Sequence, residues 1–207
     1  MLPDPPLLVI TDRRQAYRPL EQVAATAFAS GGRWLSLREK DLAPAARCDL
    51  LRRLVALGRA WGAVVGVHED IDAAIACEAG AVHLPDGASA AAARARLGGG
   101  ILIGVSAHDA AGIARAAAEG ADYATLSPIY PSRSKPDYGP AVGLEALAVA
   151  ARAAPLPLLA LGGIDAANIA ATLAAGAAGI AVMGEAMRSD GDVAGLVLAL
   201  RRALAGR

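Results

Sequence analysis

Glu78-Ala79-Gly80-Ala81 is the stretch of sequence that decides the fold, because it joins an Ala-rich helical segment directly to a short apolar run. The same joint recurs as Glu119-Gly120-Ala121 and as Ala175-Gly176-Ala177, and Gly31-Gly32 stands before another apolar run. A glycine just past a helix end supplies the left-handed conformation that turns the chain into the next strand. These joints predict a helix–glycine–strand unit that repeats along the chain.

The short apolar runs number eight, and helical segments such as Leu20–Ser30, Asp109–Glu119 and Ala166–Ala174 lie between them. The runs are Leu7–Thr11, Trp34–Leu37, Ala63–Val67, Ala81–Leu84, Leu102–Val105, Tyr123–Leu126, Leu158–Leu161 and Gly179–Val182. They lack strict alternation, as expected of parallel strands that are buried on both faces. We predict an α/β protein with a (β/α)8 TIM barrel that forms one domain over residues 1–207. A doubly wound open sheet is the alternative.

Composition excludes several classes of protein. The formal net charge of the 207 residues is zero, which argues against a nucleic-acid binder. The apolar run Leu7–Ile10 is too short for a membrane span or a signal core, so we expect no membrane contact and a cytoplasmic location. Cys48 and Cys77 fall in predicted helices without paired spacing, and we expect core thiols rather than a zinc site or a disulfide. A homo-oligomer is compatible with the sequence.

Basic and hydroxyl side chains cluster where a barrel has its active site, at the carboxyl ends of the strands. Those after the second run are Ser36, Arg38 and Lys40, and those in the long segment after the sixth run are Ser132, Ser134 and Lys135. Arg and Lys bind phosphate strongly, and hydroxyls add hydrogen bonds. We therefore predict a site for small phosphorylated substrates. Alternatively, Arg38 and Lys40 pair with Glu39 and Asp41 at the surface.

A second phosphate site is predicted after the last two strands. Gly162 and Gly163 follow the seventh run, and Met183 and Gly184 follow the eighth. Loops at these places of a barrel commonly bind phosphate through backbone N–H groups, which glycine leaves accessible. The alternative is that the glycines form two tight turns.

The remaining candidates are histidines, a serine and carboxylates at the same ends of the strands. They are His68, His83, Ser106, Glu69 and Asp86. Glu69 and Asp86 could hold Mg²⁺, a hard ion that prefers oxygen ligands. The alternatives are a helix N-cap at Asp70, a turn at Asp86-Gly87, and a hydrogen-bonded core role for His83.

Several motifs, in this order along nearly the whole chain, resemble the thiamine-phosphate synthase/TenI family. The motifs lie at residues 37–40 (Leu-Arg-Glu-Lys), 81–84 (Ala-Val-His-Leu), 104–108 (Gly-Val-Ser-Ala-His), 121–135, 142–144 (Val-Gly-Leu) and 161–164 (Leu-Gly-Gly-Ile). The strand-6 motif with its loop, 121–135, is the most specific of them. The resemblance implies an enzyme that joins an aminopyrimidine methyl diphosphate to a thiazole phosphate and releases pyrophosphate.

The resemblance also implies roles for the candidate residues. By the resemblance, the pyrophosphate is bound by Arg38, Lys40, Ser132, Ser134 and Lys135. Ser106 and His83 line the pyrimidine pocket, and Gly163 and the Met183-Gly184 turn face the thiazole phosphate. Ionisation to a pyrimidine carbocation is the implied step. Such a step needs charge stabilisation on the leaving pyrophosphate and a dry pocket.

The sequence departs from the family pattern at some of these positions. Synthases usually carry Gln and Asn where Ser36 and His68 stand, and their two Mg²⁺ aspartates fall at Glu69 and Ala88. Ala88 cannot be a ligand, although Asp86 lies two residues away and could substitute.

Two other functions therefore stay open. The stretch Leu84-Pro85-Asp86-Gly87 looks like the TenI branch, which includes thiazole phosphate tautomerases. The acid/base histidine of a tautomerase, however, matches Pro128, which cannot transfer protons. A non-catalytic barrel that binds thiamine-related phosphates is the other alternative. We favour the synthase because the loop serines and Lys135 remain.

Overall fold

Eight short parallel strands form a closed barrel in the computed structural model, which describes residues 1–132 and 140–206. They are β1 Leu7–Ile10, β2 Trp34–Leu37, β3 Val64–His68, β4 Ala81–Leu84, β5 Leu102–Ala107, β6 Tyr123–Leu126, β7 Leu158–Leu161 and β8 Gly179–Val182. Each strand pairs with the next in sequence, and β8 pairs with β1. The predicted (β/α)8 barrel is thus confirmed, and the open-sheet alternative is wrong.

Helices surround the barrel and connect successive strands. Those in the described ranges are α1 Leu20–Ala29, α2 Pro44–Ala60, α3 Ile71–Ala76, α4 Ala90–Leu97, α5 Ala110–Ala118, α6 Gly143–Ala153, α7 Ile169–Ala174, α8 Gly184–Met187 and α9 Val193–Ala205. Asp70 and Asp109 cap α3 and α5 by accepting a hydrogen bond from the third backbone N–H of each helix. Of the helices in this part of the chain, none combines the length and apolar character that a membrane crossing requires.

Alternating residues of the strands build two separate apolar cores. On β1, Leu7 and Val9 pack in the layer between strands and helices, whereas Leu8 and Ile10 pack inside the barrel. Successive side chains of a strand point to opposite faces, and both faces are buried here. The runs are therefore apolar throughout, which is why the predicted strand bounds agree with the structure to within two residues at each end.

The glycine joints do not all work in the same way. Gly31, Gly120 and Gly176 have positive φ, as predicted for left-handed helix ends. At the first joint it is Glu78, with φ 51°, that takes the left-handed conformation, so the role predicted for Gly80 is wrong. Gly80 instead lies in a tightly packed place, because a Cβ there would lie 3.1 Å from the side chain of Val64.

Two aromatic side chains fill the inside of the barrel. The rings of Trp34 on β2 and Tyr123 on β6 meet edge to face with their centroids 4.7 Å apart, an arrangement that adds about 1 kcal/mol beyond the area it buries. The Tyr123 ring lies directly against the backbone of Gly104 on the neighbouring β5. Only a residue without a side chain leaves room for that ring.

Gly104→Ala is expected to lower the free energy of unfolding by about 1–3 kcal/mol, the usual cost of overpacking a core, because its methyl group would overlap the Tyr123 ring. Urea denaturation measures the change. Gly99→Ala is the matched control, since a Cβ there meets nothing within 4 Å. Equal stability of the two variants would contradict the packing that we describe.

Candidate functional site

A cavity of about 490 Å³ opens at the carboxyl ends of the strands, a size that suits a small-molecule ligand. Every strand, or the segment that follows it, contributes to its wall. Its lining residues include Ile10, Arg38, Lys40, His68, Glu69, His83, Asp86, Ser106, His108, Ser127, Pro128, Ser132, Leu161, Gly162, Gly163, Asp165, Ala181, Met183, Gly184, Glu185 and Arg188. Short strands that end together at one rim bring these distant residues to one place.

Most of the residues predicted for the site line this cavity, and the exceptions are Ser36, Ser134 and Lys135. Ser36 is buried below the cavity, where its hydroxyl hydrogen-bonds Nδ1 of His68 at 2.8 Å. Ser134 and Lys135 lie outside the described residues. The cavity therefore brings together two of the three predicted cations, Arg38 and Lys40, while the roles of all these residues stay predictions.

The floor of the cavity is a buried network around His83. Nδ1 of His83 lies 3.0 Å from the Tyr123 hydroxyl, and Nε2 lies 3.0 Å from the Ser106 hydroxyl. Burial lowers the pKa of His83 to about 4 and raises that of Tyr123, so both groups are neutral near pH 7. One ring nitrogen of His83 therefore donates a hydrogen bond and the other accepts one.

His68 extends this floor toward β2. Its ring lies 4.7 Å from that of His83, centroid to centroid. His83 is thus the hydrogen-bonded core residue of the alternative and also lines the cavity, while its role toward a pyrimidine stays a prediction. The floor is polar, largely buried and built from side chains whose positions are fixed by one another.

A buried carboxylate holds the β1 and β2 loops together. Glu39 is 3% exposed, and it accepts hydrogen bonds from the Thr11 hydroxyl at 2.7 Å and from the backbone N–H of Arg13 at 3.1 Å. Thr11 Oγ1 in turn accepts from the backbone N–H of Arg38 at 2.9 Å. Burial raises the pKa of Glu39 above its ordinary value, and these hydrogen bonds offset only part of that rise. Glu39 thereby holds the backbone at Arg13 directly and that at Arg38 through Thr11.

The surface ion pairs that were the alternative for Arg38 and Lys40 are not formed. Glu39 is buried as described, and Asp41 pairs with Arg13 and Arg14. Lys40 pairs with Glu69 across the rim of the cavity. Both cations therefore face the cavity, as the phosphate-site prediction requires.

Glu69 and Asp86 present carboxylates to the cavity, but each is already paired with a cation. Glu69 contacts Lys40, and Asp86 accepts a hydrogen bond from Arg115 at 2.7 Å. Ala88 packs against the apolar core. The described residues contain no group of three or more His, Cys, Asp or Glu side chains that could hold a metal. Two carboxylates fit a Mg²⁺ that arrives with a diphosphate, since Mg²⁺ often takes one or two carboxylates plus substrate oxygens.

The structure also contains the two local features that were the alternatives to a metal site, a helix N-cap at Asp70 and a turn at Asp86-Gly87. Asp70 caps α3 through the backbone N–H of Ala73 at 2.8 Å, and Asp86-Gly87 forms a turn. A turn at Asp86 still lets its side chain line the cavity.

The backbone conformation and the packing at positions 162 and 163 require glycine, independently of any ligand. Both have positive φ, 98° and 64°. A Cβ on Gly162 would lie 2.9 Å from Cα of Pro128, and one on Gly163 would overlap Tyr130 and Pro131. The backbone bends sharply at Gly162-Gly163, in line with the first tight turn of the alternative, and both glycines line the cavity. Gly184 instead begins α8, so the second tight turn is not formed.

Sequence reasoning missed several members of the site. Arg188 lines the cavity just after α8 and is held by Glu185 and Asp190. His108 also lines it, and its Nδ1 donates to the carbonyl oxygen of Ser127 at 3.0 Å. The position of Arg188 after β8, the strand whose loop often binds phosphate, was the available signal.

The fold and cavity define a (β/α)8-barrel protein with a rim suited to phosphorylated small molecules, and comparisons with known proteins agree. A family model described as thiamine monophosphate synthase matches residues 7–186. The thiamine-phosphate synthase of Methanoculleus marisnigri is 41% identical over 207 residues, covering 96% of this chain and 95% of the relative. That of Salinispora tropica is 37% identical, covering 96% of each.

A solved structure supports the same assignment. The thiamine phosphate pyrophosphorylase from Pyrococcus furiosus superposes with a TM-score of 0.83 at 27% identity, covering 97% of this chain and 95% of that one. The chain belongs to the thiamine monophosphate synthase family, and it is a transferase of thiamine biosynthesis.

The neutral state of His83 predicts a pH dependence of stability. Its pKa is about 4 in the folded protein and near 6.5 when exposed, so between these values only the unfolded chain binds the proton. Stability contributed by His83 is full above pH 6.5 and falls as pH drops toward 4, by up to roughly 3 kcal/mol. Urea denaturation of the parent and His83→Gln across this range isolates the effect. Identical pH slopes would contradict it.

Proposed function

We propose that this chain joins an aminopyrimidine methyl diphosphate to a thiazole phosphate in the cavity at the mouth of the barrel. The bond between the pyrimidine methylene carbon and the diphosphate oxygen breaks, and the thiazole nitrogen bonds to that carbon. Pyrophosphate leaves with the electron pair of the broken bond. The substrates are highly charged and cross a bilayer poorly, so we propose that the reaction takes place in the cytoplasm.

The observation that carries this proposal is the separation of charge within the cavity. The cations Arg38 and Lys40 lie at the rim, whereas His83 on the buried floor is neutral. Positive charge develops on the pyrimidine methylene as the diphosphate leaves, and a protonated histidine beneath it would oppose that charge. Cations at the rim stabilise the departing pyrophosphate instead.

The diphosphate side of the site combines loops from β2 and β6. Arg38 and Lys40 come from the first loop and Ser132 from the second. Lys40 is paired with Glu69, so the substrate would share that ammonium group with the carboxylate. Ser134 and Lys135 remain sequence-based candidates for the same role.

The pyrimidine and the thiazole phosphate would occupy the rest of the cavity. Ser106 presents a hydroxyl that His83 orients at 3.0 Å, and we assign the aminopyrimidine to this floor. The Gly163 turn and the Met183-Gly184 segment would supply backbone N–H groups to the thiazole phosphate. Arg188 beside them would add a positive charge.

Mg²⁺ would be held by Glu69 and Asp86 together with substrate oxygens. When bound, it supplies positive charge that neutralises part of the diphosphate. The protein's own contribution is to hold these two carboxylates at the cavity wall. Each carboxylate is paired with a cation, Lys40 or Arg115, that offsets its negative charge.

Arg38→Ala is expected to lower kcat/KM for thiamine phosphate formation by about 10²-fold or more, the usual loss when a stabilising contact to developing charge is removed. Arg59→Ala is the matched control, because Arg59 pairs with Glu78 on the protein surface and does not line the cavity. Steady-state kinetics on both variants gives the comparison. If Arg38→Ala keeps the activity of the control, the assignment of the diphosphate to this rim fails.

Glu69→Gln is expected to raise the Mg²⁺ concentration for half-maximal activity by about 10-fold, within the range typical for loss of a group that supports a metal. Glu78→Gln, at an exposed residue remote from the cavity, controls for loss of a carboxylate elsewhere. Activity is titrated with Mg²⁺ for each variant. Superimposable titration curves would contradict a metal role for Glu69.

A further inference from the structure

Cys48 on α2 and Cys77, just past the end of α3, lie side by side between these two helices. Their Sγ atoms are 2.6 Å apart, and the Cys77 sulfur is 3.5 Å from the carbonyl oxygen of Cys48. The two residues are separated by 29 positions in sequence. The contact is therefore a product of how α2 packs on α3.

An ion pair next to the cysteines fixes this packing. Arg47, the neighbour of Cys48, donates hydrogen bonds of 3.1 and 2.5 Å to the carboxylate of Asp70, the N-cap of α3. The side chains of Arg47 and Asp70 are only 18% and 21% exposed. The helices are thus held in register beside the two sulfurs, so a bond between the sulfurs requires little movement.

The two thiols differ in accessibility. Cys77 is buried in the apolar core, whereas Cys48 is only partly buried. Burial raises the pKa of Cys77 to about 12, which keeps it protonated near pH 7. A small reagent therefore meets Cys48 first, and Cys77 is reached through its contact with Cys48.

A metal does not account for the pair. Within residues 1–132 and 140–206, no group of three or more potential metal ligands includes these cysteines, and zinc sites in proteins use three or four protein ligands.

We propose that Cys48 and Cys77 form a redox modification site, at which a low-molecular-weight disulfide converts the pair into an intramolecular disulfide. The Cys48 thiolate attacks the reagent, forming a mixed disulfide and releasing one thiol. Sγ of Cys77 then attacks Sγ of Cys48, loses its proton and displaces the second thiol. Two protein thiols are oxidised, and one reagent disulfide is reduced to two thiols. The site lies outside the barrel cavity and does not depend on the proposed reaction.

The test treats the folded, full-length protein with hydroxyethyl disulfide and maps its peptides without reduction. We expect one cross-linked peptide pair that joins Cys48 to Cys77 and disappears on treatment with dithiothreitol. The cross-linked protein should also melt about 5 °C or more above the reduced protein, because the bond restricts a long loop in the unfolded chain.

Cys48→Ser and Cys77→Ser are the controls, and the reagent should not raise the melting temperature of either variant. Three results would overturn the proposal. The parent could retain two alkylatable thiols after treatment, or Cys48 could keep a stable adduct of the reagent. A cross-linked form that does not melt higher would show that the bond distorts the native packing.

Discussion

The side chain of Tyr123 connects the apolar inside of the barrel to the polar floor of the cavity. Its ring packs on Gly104 and meets the edge of Trp34, and its hydroxyl hydrogen-bonds His83. His83 in turn hydrogen-bonds the Ser106 hydroxyl, which lines the cavity. An error in the packing of this one ring would therefore reach the reaction site through only two hydrogen bonds.

Burying polar groups so deeply is costly unless they are hydrogen-bonded, and the structure meets that cost in two ways. His83 is kept neutral and has a partner at each ring nitrogen. Glu39, with its raised pKa, is satisfied by Thr11 and by the backbone of Arg13. The first arrangement provides a neutral floor, and the second holds Arg38 at the rim. Together they set up the separation of charge on which the proposed reaction depends.

The sequence predicted the barrel well because parallel strands buried on both faces are short apolar runs, which are visible locally. Most of the residues that it predicted for the site do line the cavity, since residues that follow the strands must meet at one rim. Prediction from the sequence failed where packing between residues distant in sequence determines the conformation or burial of a residue. The exchange of roles between Gly80 and Glu78, the burial of Glu39 and the contact of Cys48 with Cys77 all depend on neighbours distant in sequence. No local pattern distinguishes such residues from ordinary helix or loop positions.

The central claim is that a single cavity holds both phosphorylated substrates and couples them. A single-turnover reaction with the purified protein, both substrates and Mg²⁺ tests it most directly, with thiamine phosphate and pyrophosphate measured in the same sample. The account predicts that the two products appear at the same rate and in equal amounts. Pyrophosphate released without thiamine phosphate, or conversion of only the thiazole phosphate to its tautomer, would contradict it.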